Sequence, residues 1–290
     1  MKFTAAINMC DPSHYLPLAE KADEAGWDCV AVPDSVFFPE SVSAAYPYSD
    51  DGGRFWTPEV PFLEPWVVIP AMAAVTRRLR FYTHVLKLPI RQPLLVAKTV
   101  ASAAVLSDNR VLLGVGLSWI PEEFKWLGED YPSRGRRADE AIEIIRVVLA
   151  GGMVEYHGEY YDFDRLQMSP TPTERVPIIV GGQSRPALRR AARLGDGWCS
   201  ANTTERQLVG YLTELRQYLA EYGREGEPFE IQALCSDVWD EDGFSRLESY
   251  GVTDCIVWPW AMFGGSVASL EDRKDALARF AERFIQTRSS

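Results

Sequence analysis

Short apolar runs alternate with amphipathic helical patterns along the chain, and this alternation limits its possible folds more than any other feature. Eight runs predict strands, at 2–9, 29–35, 79–88, 111–118, 177–182, 197–201, 229–236 and 253–259. The patterns between them predict helices at 15–25, 65–75, 93–106, 134–150, 185–194, 204–223, 244–250 and 269–287. Eight strand–helix repeats over roughly 250 residues are typical of an α/β fold, the (β/α)8 TIM barrel. A doubly wound open sheet fits the same alternation but usually has fewer units, so we favour the barrel.

Two insertions interrupt the alternation. Residues 36–63 are too long for an ordinary connection and too aromatic for a solvated linker, so we predict a lid or a binding loop there. Residues 151–176 predict a small hairpin that turns at His157-Gly158-Glu159 and covers the bottom or side of the barrel. Neither insertion has the character of a domain boundary, so we expect a single domain over residues 1–290.

Composition and charge narrow the class of partner. The chain has 290 residues and a formal net charge of −11, which disfavours nucleic acid and acidic membranes because both attract basic surfaces. We therefore expect a small-molecule partner. The sequence has no signal-peptide pattern at its start and no apolar run of membrane-spanning length, which predicts a cytoplasmic protein. The five cysteines are far apart without a CxxC pair, so we expect reduced thiols and no zinc site.

A TIM barrel carries its chemistry at the carboxyl ends of its strands, so the residues there are the candidates for a site. This part of the sequence lacks the signatures of hydrolases: it has no glycosidase-like carboxylate pair, no HExxH spacing and no GxSxG elbow. We predict no metal site and no nucleophile triad. An organic cofactor, which the protein would position and shield from water, fits this region better.

The stretch VGGQSRPALRRAARLGDGW (180–198) places glycines directly before a helix. The successive N–H groups of Gly181, Gly182, Gln183 and Ser184 have the arrangement of an anion-binding nest at a helix N-terminus, with Ser184 as the cap. A phosphate would fit there. The alternative is that the glycines only allow a tight turn from strand to helix.

Arginines follow this turn and also open an earlier helix. Arg185 and Arg189 share one helix face, where they would either hold an anionic ligand or lie on solvated surface. The segment PSRGRRADE (132–140) places arginines at a helix start, against the helix dipole, so they need an anion or a nearby carboxylate such as Glu129 or Asp139.

Several blocks together resemble the luciferase-like monooxygenase family, and in particular its branch that uses the deazaflavin coenzyme F420. They are RLRFYTHVLKLPIRQPLLVAKTVASAAVLSDNRVLLGVG (78–116), GVGLSWIPEEFKWLGEDYPSRGRRADEAIEIIRVVL (114–149), GEYYDF (158–163) and PIIVGGQSRPALRRAARLGDGW (177–198). The similarity covers nearly the whole chain in order. It implies a luciferase-like TIM barrel with insertions, a flavin or deazaflavin across the barrel mouth, and a homodimer.

The resemblance also implies which residues contact the cofactor. Gly181 to Ser184 match the segment whose backbone holds the cofactor phosphate in similar proteins. His84-Val85 matches a bulge that often has a non-proline cis peptide behind the ring, for which a plain β-bulge is the alternative. The implied cofactor contacts are Asp34, His84, Val85, Gly116, Gly181, Gly182, Gln183 and Ser184.

One departure from the family pattern affects catalysis. Many deazaflavin enzymes follow the matching aspartate, here Asp34, with a histidine, whereas this chain has Ser35, and a serine does not titrate near neutral pH. Either the substrate needs no proton from that position, or His84 or His14 supplies it. The predicted catalytic residues are Asp34, Ser35 and His84. Aromatic residues predicted to wall a substrate pocket are Tyr46, Tyr48, Trp56, Trp119 and Trp260.

Three functions remain open on the sequence. The first is an F420-dependent oxidoreductase that transfers hydride between the deazaflavin and a small organic substrate. The second is a reduced-flavin monooxygenase that uses FMN and oxygen on the same scaffold. The third, from a different class, is a non-catalytic protein that binds F420 or flavin.

Overall fold

The computed structural model describes residues 1–49, 51–263 and 269–288, and within them the predicted barrel is confirmed. Eight parallel strand positions form a ring that closes through a pairing between β3 and β5, and β4 continues the position of β3. The strands are β1 (Lys2–Ala6), β2 (Cys29–Val32), β3 (Arg80–Thr83), β4 (Leu86–Lys87), β5 (Val111–Gly116), β6 (Val154–His157), β7 (Asp162–Leu166), β8 (Ile178–Gly181), β9 (Gly197–Cys199), β10 (Glu230–Ala233) and β11 (Asp254–Val257).

The helices form the outer layer of the barrel. They are α1 (Tyr15–Ala25), α2 (Pro65–Ala74), α3 (Pro93–Leu106), α4 (Pro121–Leu127), α5 (Arg134–Leu149), α6 (Arg185–Leu194), α7 (Glu205–Glu221), α8 (Glu241–Ser249), α9 (Pro259–Phe263) and α10 (Leu270–Phe280). The eight predicted helices are all present. The predicted start of α8 was three residues late, because Asp240 caps the helix by accepting from the N–H of Gly243. The helices α4 and α9 were not predicted, because they are too short to show a helical period.

Two hydrophobic layers hold the barrel together. The larger one lies between the strands and the helices, and the smaller one fills the barrel itself. The inner layer combines one large ring with mostly small or branched side chains: Ala6, Cys29, Ala31, Tyr82, Leu112, Ile179, Cys199, Leu234 and Ile256. The barrel is therefore a packed core rather than a pore, and an open site has to lie at one of its ends.

The hairpin insertion packs against the side of the barrel, as predicted. The Glu140 carboxylate of α5 accepts hydrogen bonds from the backbone N–H groups of Glu159, Tyr160 and Tyr161, and Tyr156 donates to Glu143 at 2.8 Å. These contacts fix the hairpin to α5. It therefore extends the outer layer of the fold and does not cross the barrel mouth.

The cysteines and the helices bear on two further expectations. All five cysteines are buried and free. Burial raises the pKa of Cys199 and of Cys235 to about 12, so both stay protonated thiols near neutral pH. No helix among the described residues is long and apolar enough to cross a membrane.

Candidate active site

The turn from β8 into α6 has the geometry of an anion site. Ser184 caps α6 by accepting a hydrogen bond from the N–H of Ala187, and Gly182 has a φ of 117°, which favours glycine. The amide of Gln183 donates to the carbonyls of Ala201 and Asn202, which ties the turn to the loop after β9. No backbone hydrogen bond within the described ranges uses the N–H of Gly182, Gln183 or Ser184. These donors at a helix N-terminus are available to an anion.

Val85 forms an apolar platform directly beside this turn. The His84–Val85 peptide is cis, so this feature implied by the family resemblance is confirmed and the plain bulge is not what the structure has. A Cβ at Gly181 would meet the Val85 side chain at 2.8 Å, and one at Gly116 would meet it at 2.5 Å. The two glycines therefore leave room for Val85 at the barrel mouth, between the ends of β5 and β8. The platform and the anion turn share Gly181.

His84 points across the mouth and is held as a neutral imidazole. Its Nε2 lies 3.1 Å from the carbonyl oxygen of Ser200, which requires the proton on Nε2. Burial lowers the pKa of His84, so the ring is uncharged at neutral pH. The only N–H group of the neutral ring donates to the Ser200 carbonyl, so His84 has no second proton to transfer to a substrate.

Asp34 is buried and paired at the end of β2. Its carboxylate accepts a hydrogen bond from the backbone N–H of Lys87 at 2.8 Å and forms an ion pair with Arg91, whose Nη1 lies 2.7 Å from Oδ2. Arg91 also contacts Glu64 at 3.2 Å. The paired carboxylate anchors the segment after β4 to the end of β2. Ser35, the next residue, is half-buried at the same end of the barrel.

A buried ion pair at the same mouth was not predicted from the sequence. Lys87 forms a salt bridge with Glu123, whose side chain is fully buried, and Ser118 donates to the other carboxylate oxygen at 2.6 Å. Glu122 and Glu123 are adjacent in the sequence, and they differ in the face of α4 on which each lies. Glu122 points outward and accepts from the N–H of Ser43. Because α4 was not predicted, its buried face could not be assigned.

The long insertion carries an aromatic cluster centred on Tyr46. Its ring makes edge-to-face contacts with Tyr48, Trp56 and Trp119, with ring centroids 5.2 to 5.5 Å apart, and also touches Phe55. Trp119 follows β5, so the cluster fixes the insertion to the barrel mouth. Burial raises the pKa of Tyr48, with a smaller contribution from Cys199 at the end of β9. The insertion thus reaches over the mouth.

Trp260 does not join this cluster. It lies on α9 after β11, which is opposite β5 in the ring of strands. The guanidinium of Arg273 stacks on its ring at 4.5 Å and donates to the carbonyls of Asn8 and Met9. The structure therefore brings together the other predicted pocket aromatics and places Trp260 on the far wall.

The arginines of α6 have protein partners. Arg190 and Arg193 both pair with Asp139 of α5, Arg189 pairs with Glu221, and Arg185 lies 3.4 Å from Glu214. In the earlier group, Arg137 pairs with Glu129 and Arg136 with Glu159. Carboxylates thus pair with Arg136 and Arg137, whereas Arg134 at the same helix start donates to the carbonyl of Tyr131. The donors that the turn leaves available are therefore its backbone N–H groups and not these side chains.

Comparisons with known proteins agree with this architecture. The model of the luciferase-like monooxygenase family matches residues 8–243. An uncharacterized protein of Mycobacterium tuberculosis is 43% identical over 288 residues, which is 98% of this chain and 99% of that protein. The F420-dependent glucose-6-phosphate dehydrogenase of Nakamurella multipartita is 29% identical over 205 residues, which is 69% of this chain and 55% of that enzyme.

Solved structures share the fold at low sequence identity. The monooxygenase RslO1 of Streptomyces bottropensis has a TM-score of 0.76 at 18% identity and matches over 100% of both chains. The coenzyme F420-dependent tetrahydromethanopterin reductase of Methanopyrus kandleri has a TM-score of 0.76 at 14% identity and matches over 99% of both chains. These similarities extend over the whole barrel and its insertions.

Proposed function

The chain belongs to the luciferase-like monooxygenase family, and from that premise we propose that it is an F420-dependent oxidoreductase. In this proposal it transfers hydride between the deazaflavin and a small organic substrate: an alcohol, a ketone, an imine or an activated alkene. Among the relatives above, the enzyme with sequence similarity and a named cofactor uses F420. F420 is therefore our first choice and FMN the alternative.

The observation that carries the proposal is the contact between an anion turn and an apolar platform. Gly181 ends β8 against Val85 and begins the turn whose N–H groups face no protein acceptor within the described ranges. A cofactor with a phosphate and a flat ring needs these two surfaces side by side. Gly182, Gln183 and Ser184 would hold the phosphate, and Val85 would support the ring. When bound, F420 would supply a ring carbon that accepts or donates hydride.

Asp34, Glu123 and His84 at the mouth hold neighbouring groups in position, and none of these three is an obvious proton donor. Asp34 is neutralised by Arg91, and Glu123 by Lys87, so these carboxylates hold the strand ends in place. His84 is neutral and its proton is engaged by Ser200. In our proposal the Ser35 hydroxyl orients the polar oxygen or nitrogen atom of the substrate by a hydrogen bond, and the proton on that atom exchanges with solvent.

We further propose that the substrate is flat or apolar. Tyr46, Trp56 and Trp119 place aromatic rings on the insertion and on the loop after β5, both at the mouth. Burial raises the pKa of Tyr46 to about 12, so its hydroxyl stays neutral near pH 7. A wall of neutral aromatic rings favours apolar ligands and would exclude water from the hydride path.

Turnover with defined cofactors tests the proposal. The protein is incubated with oxidised F420 and a panel of secondary alcohols, and with reduced F420 and the matching ketones, imines and activated alkenes, while F420 absorbance is followed. We expect turnover that needs both the protein and F420. Product formation only with reduced FMN and oxygen would identify a monooxygenase instead. Binding of F420 without any turnover would support the non-catalytic alternative.

We also propose that the protein is a cytoplasmic homodimer, as the family resemblance implies. Three large apolar side chains on α2 and α3 are exposed by about 70%: Val67, Leu95 and Leu106. A second copy of the chain would remove them from water. Light scattering coupled to gel filtration would then give twice the mass of 32.6 kDa.

A further inference from the structure

A cavity lies at the opposite end of the barrel from the candidate active site. It has a volume of about 260 Å³ and is lined by residues near the amino ends of the strands, among them Lys2, Cys29, Arg80, Glu230 and Asp254. At ~30 Å³ per water molecule, this is room for about eight waters, so a ligand of several heavy atoms fits. The proposed function makes no use of this end of the barrel.

Two buried side chains on the floor of the cavity have oxygen atoms without a partner. Gln232 and Asp254 are neighbours in register on β10 and β11 and are 1% and 2% exposed. Asp254 Oδ2 accepts from the Thr4 hydroxyl at 2.8 Å, and the Gln232 amide donates to Glu230 at 3.3 Å. Among the described residues, neither Asp254 Oδ1 nor Gln232 Oε1 has a hydrogen-bond partner. When Asp254 is ionised, both atoms are acceptors, so whatever satisfies them must donate.

The cavity lining has three cationic and three anionic side chains, and Asp254 is the only one of the six that is buried, which favours a cation on the floor. The rim cations Lys2 and Arg80 are both 3.7 Å from the same Glu230 oxygen, so a rim carboxylate already balances part of their charge. Asp254 has only the neutral Thr4 hydroxyl as a hydrogen-bonded partner. A buried carboxylate without a close cation is costly, and a bound cation would remove that cost.

We propose that this cavity binds a small organic monocation with N–H donors, of the primary ammonium or guanidinium class, between Asp254 Oδ1 and Gln232 Oε1. Two donors from one head group satisfy both acceptors at once, and its charge neutralises the carboxylate. The rest of such a ligand extends along the cavity towards Lys2, Arg80 and Glu230.

Protons compete with the cation for Asp254. Burial raises the pKa of Asp254 to about 7, and Asp28 and Glu230 add to the shift, while the Thr4 hydrogen bond and Lys2 oppose it. The other titratable groups around it or on the cavity wall are Cys29, Arg78, Arg80 and Tyr82. Since only the ionised carboxylate attracts a cation, affinity should fall about tenfold from pH 8 to pH 6.

The first test uses the unaltered protein and three chloride salts at equal ionic strength. Methylguanidinium carries the charge and the donors, tetramethylammonium carries the charge without N–H groups, and sodium is a bare ion. We expect saturable heat in calorimetry and a rise in melting temperature with methylguanidinium alone, weaker at pH 6 than at pH 8. An equal response to tetramethylammonium or sodium, or no saturable response at pH 8, would overturn the proposal.

Variants of the two acceptor residues test whether methylguanidinium binds in this cavity. Asp254→Asn and Gln232→Leu should each weaken methylguanidinium binding at pH 8 at least about tenfold, because the first removes the negative charge and the second removes the amide acceptor. The matched control is Glu225→Gln, which neutralises an exposed carboxylate in the loop that leads into β10 and should bind as the unaltered protein does. Circular dichroism confirms that each variant is folded. If a folded Asp254→Asn protein binds with unchanged affinity, the site is not this one.

Discussion

Gly182 shows how one residue sets up a binding site. Its φ of 117° lies where residues with a side chain are strained, and an added Cβ would meet the Ala187 side chain at 2.9 Å. The missing side chain lets the backbone turn sharply into α6, with the N–H groups of residues 182–184 exposed at the helix start. In the proposed function, that exposed backbone binds the cofactor phosphate.

Replacing Gly182 with an acidic residue separates backbone strain from charge. Gly182→Asp should weaken F420 binding at least about tenfold more than the equally large, neutral Gly182→Asn, because it alone adds a negative charge beside the phosphate. Fluorescence titration of F420 into both variants measures the ratio. The difference should shrink at high salt. Equal affinities would mean that no anion is bound at this turn.

Single residues also show which features of the site were predictable from the sequence and which were not. The cap at Ser184 and the turn glycine at 182 were predictable, because capping and positive φ depend on local chemistry alone. The pairing of Asp34 with Arg91, 57 positions apart in the chain, was not, because only the folded barrel brings them together. Site residues that depend on long-range pairing needed the structure.

The insertion at 36–63 is the least regular element of the site. It has no helix or strand among its described residues, so side-chain contacts hold it in place. Tyr46 is the hub, with four aromatic neighbours. Edge-to-face pairs contribute about 0.5–1.5 kcal/mol each, so the four ring pairs of Tyr46 stabilise the insertion by about 2 kcal/mol or more.

Removing the hub should release the insertion without unfolding the barrel. In Tyr46→Ala we expect limited proteolysis within 36–63 to be at least about tenfold faster than in the unaltered protein. Tyr46→Phe keeps all four ring contacts, so it serves as the control with a nearly unchanged rate. Unchanged cleavage of Tyr46→Ala would show that other contacts hold the insertion.

Helices of nine or more residues were predicted, whereas the shorter α4 and α9 were not. The ends of α1, α3 and α6 were predicted to the residue, because a long amphipathic period with proline or glycine at its ends is encoded locally. The seven residues of α4 gave no such period, and with that helix the buried Glu123 was lost. The route of the insertion over the mouth depends on aromatic contacts between distant segments.

At the scale of the whole molecule, the barrel separates two proposed binding sites. The carboxyl ends of the strands carry the anion turn, the Val85 platform and the aromatic insertion, whereas the amino ends carry the cavity above Gln232 and Asp254. A packed inner layer lies between them. Because the two sites lie at opposite ends of the barrel, each can be tested by variants that leave the other unaltered.

The central claim is that the barrel mouth is built for F420. The most direct measurement is a fluorescence titration of the unaltered protein with F420 and, in parallel, with FMN. The proposal predicts saturable binding of F420 with a dissociation constant at least about tenfold lower than that of FMN. Tighter binding of FMN, or no binding of F420, would contradict it.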